Sequence, residues 1–261
     1  MLKPMIFVPA LALLTLVAMG TAGATDYEVA EYTIADATGD WGFPSPFAHY
    51  SRGPGYVRMS LIFDTLVWKD DEEYLPALAE SWEYLEDENA YSFELQEGVT
   101  WHDGEPFDAS DVVFSVDYFQ DHPYQWVDSG IIESAEATGD NGVKLYLSEP
   151  YAPFMDLVAC TLPILPEHIW DGVADPASFS DDEALVGTGP FRLADYDMAQ
   201  GTYLYEARDD YYQGAPGVGR IIFVKMTDQT APAGLTQGSV DAASVPPEAT
   251  SQLEDEGLEI I

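Results

Sequence analysis

The chain has 261 residues, enough for one large domain or two small ones. It carries 47 acidic and 9 basic residues, a formal net charge of -38. A surface so negative repels phosphate backbones, which excludes nucleic acid as a partner. The acids are spread along the chain without a long acidic run, so they read as solvation in a salty medium or as a field for cationic ligands. The single cysteine, Cys160, allows no intrachain disulfide and reads as a small buried hydrophobe.

The N-terminus has the layout of an export signal. Lys3 supplies positive charge, Met5 to Ala18 is apolar, and Ala22-Gly23-Ala24 forms a small-x-small cleavage site. Residues 1–24 are therefore expected to be a signal peptide, with an uncleaved membrane anchor as the alternative. Either way the rest is expected outside the cytoplasm, in the periplasm or at the cell surface.

Residues 27–34 read as a strand. The segment from Gly39 to Gly55 is a loop rich in Gly, Pro and aromatics, which the prolines keep from being helical. Its Trp41, Phe43, Phe47 and Tyr50 either face a ligand or pack down as a lid, and the residues alone leave both open. Met59 to Trp68 is expected to run from helix into a short strand. Leu75, Leu78, Ala79 and Trp82 fall on one helical face, with Pro76 tolerated at its start. Tyr91, Phe93 and Leu95 alternate as a half-buried strand, and His102-Asp103-Gly104 makes a turn. Asp108 is the expected N-cap of a helix lined by Val112, Val113, Val116 and Phe119.

Val143, Leu145 and Leu147 form another alternating strand after a Gly-rich turn. Tyr151 to Cys160 is expected to be helical, and Glu167 to Trp170 a short turn or helix. Tyr203, Tyr205 and Ala207 alternate, Ile221 to Met226 suits a buried strand, a short helix ends near Gly238, and Val240 to Val245 starts one more strand. Hairpins mixed with helices favour an α/β or α+β lobe with a mixed sheet.

Five segments carry a resemblance. They are Ile62-Phe63-Asp64-Thr65-Leu66-Val67; Leu75 to Glu83 followed by Tyr91 to Val99; Trp101-His102-Asp103-Gly104 running on to Ser115; Pro166-Glu167-His168-Ile169-Trp170; and Gly187-Thr188-Gly189-Pro190-Phe191-Arg192-Leu193 with Tyr196 beyond. In this order and spacing they resemble the family 5 extracellular solute-binding proteins of ABC importers, which bind peptides, dipeptides or nickel complexes. The resemblance implies an α/β fold, a periplasmic-binding-protein type II-like lobe with a mixed β-sheet and an inserted subdomain. It implies a first lobe over 25–238, the inserted subdomain at about 69–185, and the start of a crossover at 239–261, with the second lobe largely absent.

The function so implied is reversible capture of a peptide or peptide-like solute, closure of a hinge, and delivery to permease subunits in the membrane, with no enzymatic step and no cofactor. Ligand residues carried over from the family are Trp41, Phe43 and Ser45 in the first loop, and Tyr124 and Trp126 after the Asp111-Val112-Val113-Phe114-Ser115 helix. Nickel chelates or oligosaccharides are the alternative solutes. A secreted glycoside hydrolase is the enzymatic rival, resting on paired acids and aromatics that abound here by composition. His49, His102, His122 and His168 lack the spacing of a zinc helix, and His102 is expected to cap its own turn. Arg192 and Arg208 are expected to pair with acids. The segment from Gly187 to Phe191 is expected to approach other backbone where only glycine fits.

Overall fold

A computed structural model describes residues 27–50, 53–124 and 127–260. The expected signal peptide and Trp126 lie outside these described residues. No described helix is long and apolar enough to cross a membrane.

In chain order the elements are β1 (Tyr32–Asp36), α1 (Pro54–Ser60), β2 (Val67–Lys69), β3 (Tyr74–Pro76), β4 (Ala79–Leu85), β5 (Ala90–Leu95), α2 (Ala109–Asp121), β6 (Ile132–Ala137), β7 (Gly142–Leu147), α3 (Glu167–Trp170), β8 (Phe191–Asp197), β9 (Thr202–Ala207), β10 (Arg220–Lys225), α4 (Ala231–Thr236), β11 (Ala242–Ala243) and α5 (Pro247–Asp255). One sheet has the order β11-β1-β10-β9-β8. In it β1 runs parallel to both β10 and β11, while β9 and β8 turn back antiparallel. A second, antiparallel sheet has the order β4-β5-β7-β6 and draws its strands from residues 79–147. Helix α2 packs on it through β6 and β7. Strands β2 and β3 pair as a small ribbon between the two sheets in sequence.

The expected helical face at 75–82 is corrected: these residues form β3 and β4. Pro76 has no N–H for a helical bond, and Trp82 pairs with Phe93 and Tyr84 with Tyr91 across the β4–β5 ladder. Pairing against a ready apolar neighbour overrides a 3.6-residue spacing shown by only four residues. Helix α1 starts earlier than expected, inside the loop read as non-helical, because Pro54 sits at the first helical position where its missing N–H costs nothing. Only Met155–Ala159 of the expected helix at 151–160 is helical, as a π-turn. The strand expected at 240–245 shrinks to two residues, and β10 buries Phe223 while leaving Lys225 exposed.

Asp108 caps α2 as expected. Its side chain accepts the Ser110 N–H at 2.7 Å, and Asp111 accepts the Asp108 N–H at 3.1 Å, a reciprocal capping box. Asp111 is buried and also accepts the indole of Trp101 at 3.2 Å and the Glu167 N–H at 3.0 Å. One carboxylate thus ties the Trp-His-Asp-Gly turn, α2 and α3 together.

Candidate solute site

In an open α/β sheet the crevice lies beyond the carboxyl ends of parallel strands, at the point where connections diverge. Here those ends are Asp36 of β1, Lys225 of β10 and Ala243 of β11. The aromatic loop leaves from the middle strand of the three.

Asp36 organises the start of that loop. Its Oδ1 accepts the N–H groups of Thr38 at 2.8 Å and Gly39 at 3.2 Å, which turns the chain. Its Oδ2 accepts the Trp41 indole N–H at 2.7 Å and the Arg58 guanidinium at 2.9 Å. Arg58 is only 2% exposed and lies between two rings, 4.1 Å from the Phe223 centroid and 4.9 Å from that of Tyr203. Burying a charge is tolerable here because it is both ion-paired and faced by aromatic π-clouds.

A second carboxylate holds the next stretch. Asp40 Oδ1 accepts the Tyr196 hydroxyl at 2.6 Å and the Gly42 N–H at 3.1 Å. The Tyr203 hydroxyl donates to the Gly42 carbonyl at 2.8 Å and accepts the Trp41 N–H at 2.7 Å. Burial pushes the Tyr203 phenol up to about 12, so it stays a neutral donor. The loop backbone is therefore fixed by β8 and β9 from below.

The loop residues differ in what they pack against. Phe47 packs down, stacking on Phe119 at 5.4 Å and meeting Tyr118, Tyr124 and Trp170. His49 is buried, with Nε2 3.0 Å from the Tyr124 hydroxyl, and desolvation lowers its pKa. Trp41 and Phe43 stay half-buried, Phe43 edge-on to Tyr196, and Tyr50 is 54% exposed.

Of the five residues expected to contact solute, the structure brings Trp41 and Phe43 to the crevice-side loop with exposed surface remaining. Ser45 and Tyr124 are fully enclosed by protein in this structure. Small Ser45 sits under the loop, its hydroxyl lacking a hydrogen-bond partner. Tyr124 closes the aromatic cluster beneath Phe47, and burial raises its pKa well above the ordinary value. Asp36, Arg58 and Tyr203 were not singled out from sequence. The one available signal was a carboxylate ending a strand directly before an aromatic loop.

The four histidines go to separate places. His102 Nε2 is 3.0 Å from the Gly189 carbonyl and Nδ1 is 3.4 Å from the Gly187 nitrogen, so His102 links two motifs rather than capping its own turn. His168 reaches Asp103 at 2.8 Å, and His122 lies on Tyr118. Among the described residues no three metal-ligating side chains converge. Arg208 does pair with Asp210, at 2.8 Å, but Arg192 donates to the His102 carbonyl instead of an acid.

Residues 73–260 match the family described as bacterial extracellular solute-binding proteins, family 5 Middle. The chain belongs to that family. It is 34% identical over 173 residues to the dipeptide-binding protein of Escherichia coli strain K12, covering 58% of this chain and 32% of that protein. The ABC transporter substrate-binding protein CtaP of Listeria monocytogenes superposes with a TM-score of 0.74 at 27% identity, covering 87% of this chain and 47% of CtaP. The oligopeptide-binding protein AppA of Bacillus subtilis, solved with a nonapeptide, gives a TM-score of 0.75 at 24% identity over 86% of this chain and 45% of AppA, a likeness of fold. This family 5 chain spans less than half the length of the curated relatives it matches.

Proposed function

We propose that the chain supplies one face of a cleft that captures peptides or peptide-like solutes outside the cytoplasm and hands them to an ABC permease. The observation carrying this reading is the Asp36–Arg58–Trp41 arrangement: a partly exposed indole held by a largely buried ion pair at the carboxyl ends of three parallel strands. A fixed aromatic plane suits peptide groups and apolar side chains, and pre-fixing it lowers the ordering cost of binding. Trp41 and Phe43 are the contact residues on this face. The peptide class is supported by the similarity to a dipeptide-binding protein and by membership of the solute-binding family.

Binding drives closure and no chemistry. A solute held between two faces shifts the population towards the closed form, because only that form makes both sets of contacts. Residues 1–24 serve as the export signal, which places the protein in the periplasm or at the cell surface.

Calorimetric titration of the purified chain with short peptides, glycosides and nickel–histidine tests this. Heat of binding with peptides, weakened by W41A, is the expected result. Binding of a glycoside or nickel chelate with none for any peptide would refute the peptide assignment.

A further inference from the structure

Cations are scarce in this molecule, and among the described residues all but one are already committed. Nine exist, of which Lys3 and Arg52 lie outside the described residues. Arg58, Lys69, Lys144, Arg208 and Arg220 each pair with a carboxylate. Arg192 donates to a main-chain carbonyl. Lys225 is the exception: no carboxylate among the described residues lies within ion-pair distance of its ammonium.

Its place is specific. Lys225 ends β10, in register with Asp36 at the end of β1, at the mouth of the crevice. Asp36 is occupied by Arg58 and Trp41. The other acids near this rim are Asp40, engaged by Tyr196 and Gly42, and Asp228 on the loop beyond β10. The Lys225 stem lies against Gly39, where a Cβ would come within 2.9 Å of the stem carbons, and Gly39 has a φ of 82°. That packing sets where the ammonium emerges. On the other side of the same turn, the β8–β9 hairpin presses Gly201 against the Asp40 backbone, and Met198 beside it is 65% exposed. Among the described residues Lys225 is thus the cation at this rim without an ion-pair partner, its stem set against Gly39.

We propose that Lys225 is the anion-receiving point of the crevice and takes a carboxylate of the solute, such as the C-terminal carboxylate of a peptide. The physical need for it comes from the net charge. A protein at -38 repels an anionic group on approach, and only a local cation at contact distance reverses that sign. A lysine suits the task as a compact point charge with rotatable donors. This inference rests on the peptide reading above.

The test is calorimetric titration of the full chain with trialanine and with its C-terminal amide in the same buffer. The acid is expected to bind about fivefold more tightly than the amide. K225M should lose that preference while keeping the melting temperature, since Lys225 is exposed; K225R should retain the preference, and K225Q replaces K225M if the latter misfolds. Equal affinities for acid and amide in the unaltered protein, or a preference that persists in K225M, would overturn the assignment of Lys225 alone. Failure of every peptide to bind would overturn it together with the peptide reading.

Discussion

His102 Nε2 lies 3.0 Å from the Gly189 carbonyl while its Nδ1 accepts the Gly187 N–H at 3.4 Å. A neutral ring with the proton on Nε2 satisfies both contacts. Burial, with help from Arg208 and Arg192, lowers the pKa to about 4. Unfolded, the ring titrates near 6.5. As pH falls from 6.5 towards 4 the unfolded chain therefore gains a proton that the folded one refuses, and stability is lost. We expect chemical denaturation to show roughly 2 kcal/mol more loss over this window in the unaltered protein than in H102Q. Parallel pH profiles for the two would contradict this account.

Asp64 works with the opposite sign. It is buried, accepts Thr188 at 3.2 Å and Tyr211 at 3.2 Å, and desolvation raises its pKa to about 7. Unfolded, it ionises near 4. Between pH 4 and 7 the unfolded chain gives up a proton that the folded chain keeps, so its contribution falls as pH rises. D64N, which mimics the protonated form, should gain stability relative to the unaltered protein on going from pH 4.5 to 7.5. A constant difference between the two across that range would show that Asp64 is ionised when folded.

The Arg58–Asp36 pair is expected to be strongly coupled. R58M leaves a half-buried carboxylate without its cation, and D36N leaves a buried guanidinium without its anion, each costing about 3 kcal/mol. The double variant should cost less than the sum by at least about 1 kcal/mol. Additive losses in urea melts would show that Arg58 is held by its aromatic neighbours and not by the ion pair.

Salt should control stability. Among the described residues the carboxylates find few basic partners, and the formal charge is -38. Screening shortens the reach of this repulsion from ~30 Å at 0.01 M salt to ~3 Å at 1 M. The melting temperature should drop by roughly 5–10 °C on moving from molar KCl to dilute buffer. A flat dependence would mean that the acids are spaced widely enough to ignore one another.

Much of the fold was readable because a two-residue period and one-sided burial coincide. Tyr91, Phe93 and Leu95 became β5, Val143 to Leu147 became β7, and Tyr203 and Tyr205 became β9 on that basis. The close approach expected of the Gly-Thr-Gly segment is there: a Cβ on Gly187 would sit 2.0 Å from the Ile62 carbonyl oxygen. The segment at 75–82 misled because its spacing satisfies a helix while its partners in space demand strands. The crevice was only half legible. Trp41 and Phe43 announce themselves as aromatics in a loop, but Lys225 comes beside Asp36, and Phe223 beside Arg58, only because β1 lies next to β10. Ser45 and Tyr124 have no local mark separating a covered position from an open one.

The middle position of β1 has a consequence for how the chain acquires its shape. Thr33 bonds to Asp241, 208 residues away. The sheet of residues 79–147 closes on itself over far shorter spans and can be complete early, whereas β1 must wait for residues 220–225 and 242–243 before it has a neighbour on either flank. The sheet holding β1 is thus assembled after the sheet of residues 79–147, and a chain interrupted before residue 220 would leave β1 without a partner strand.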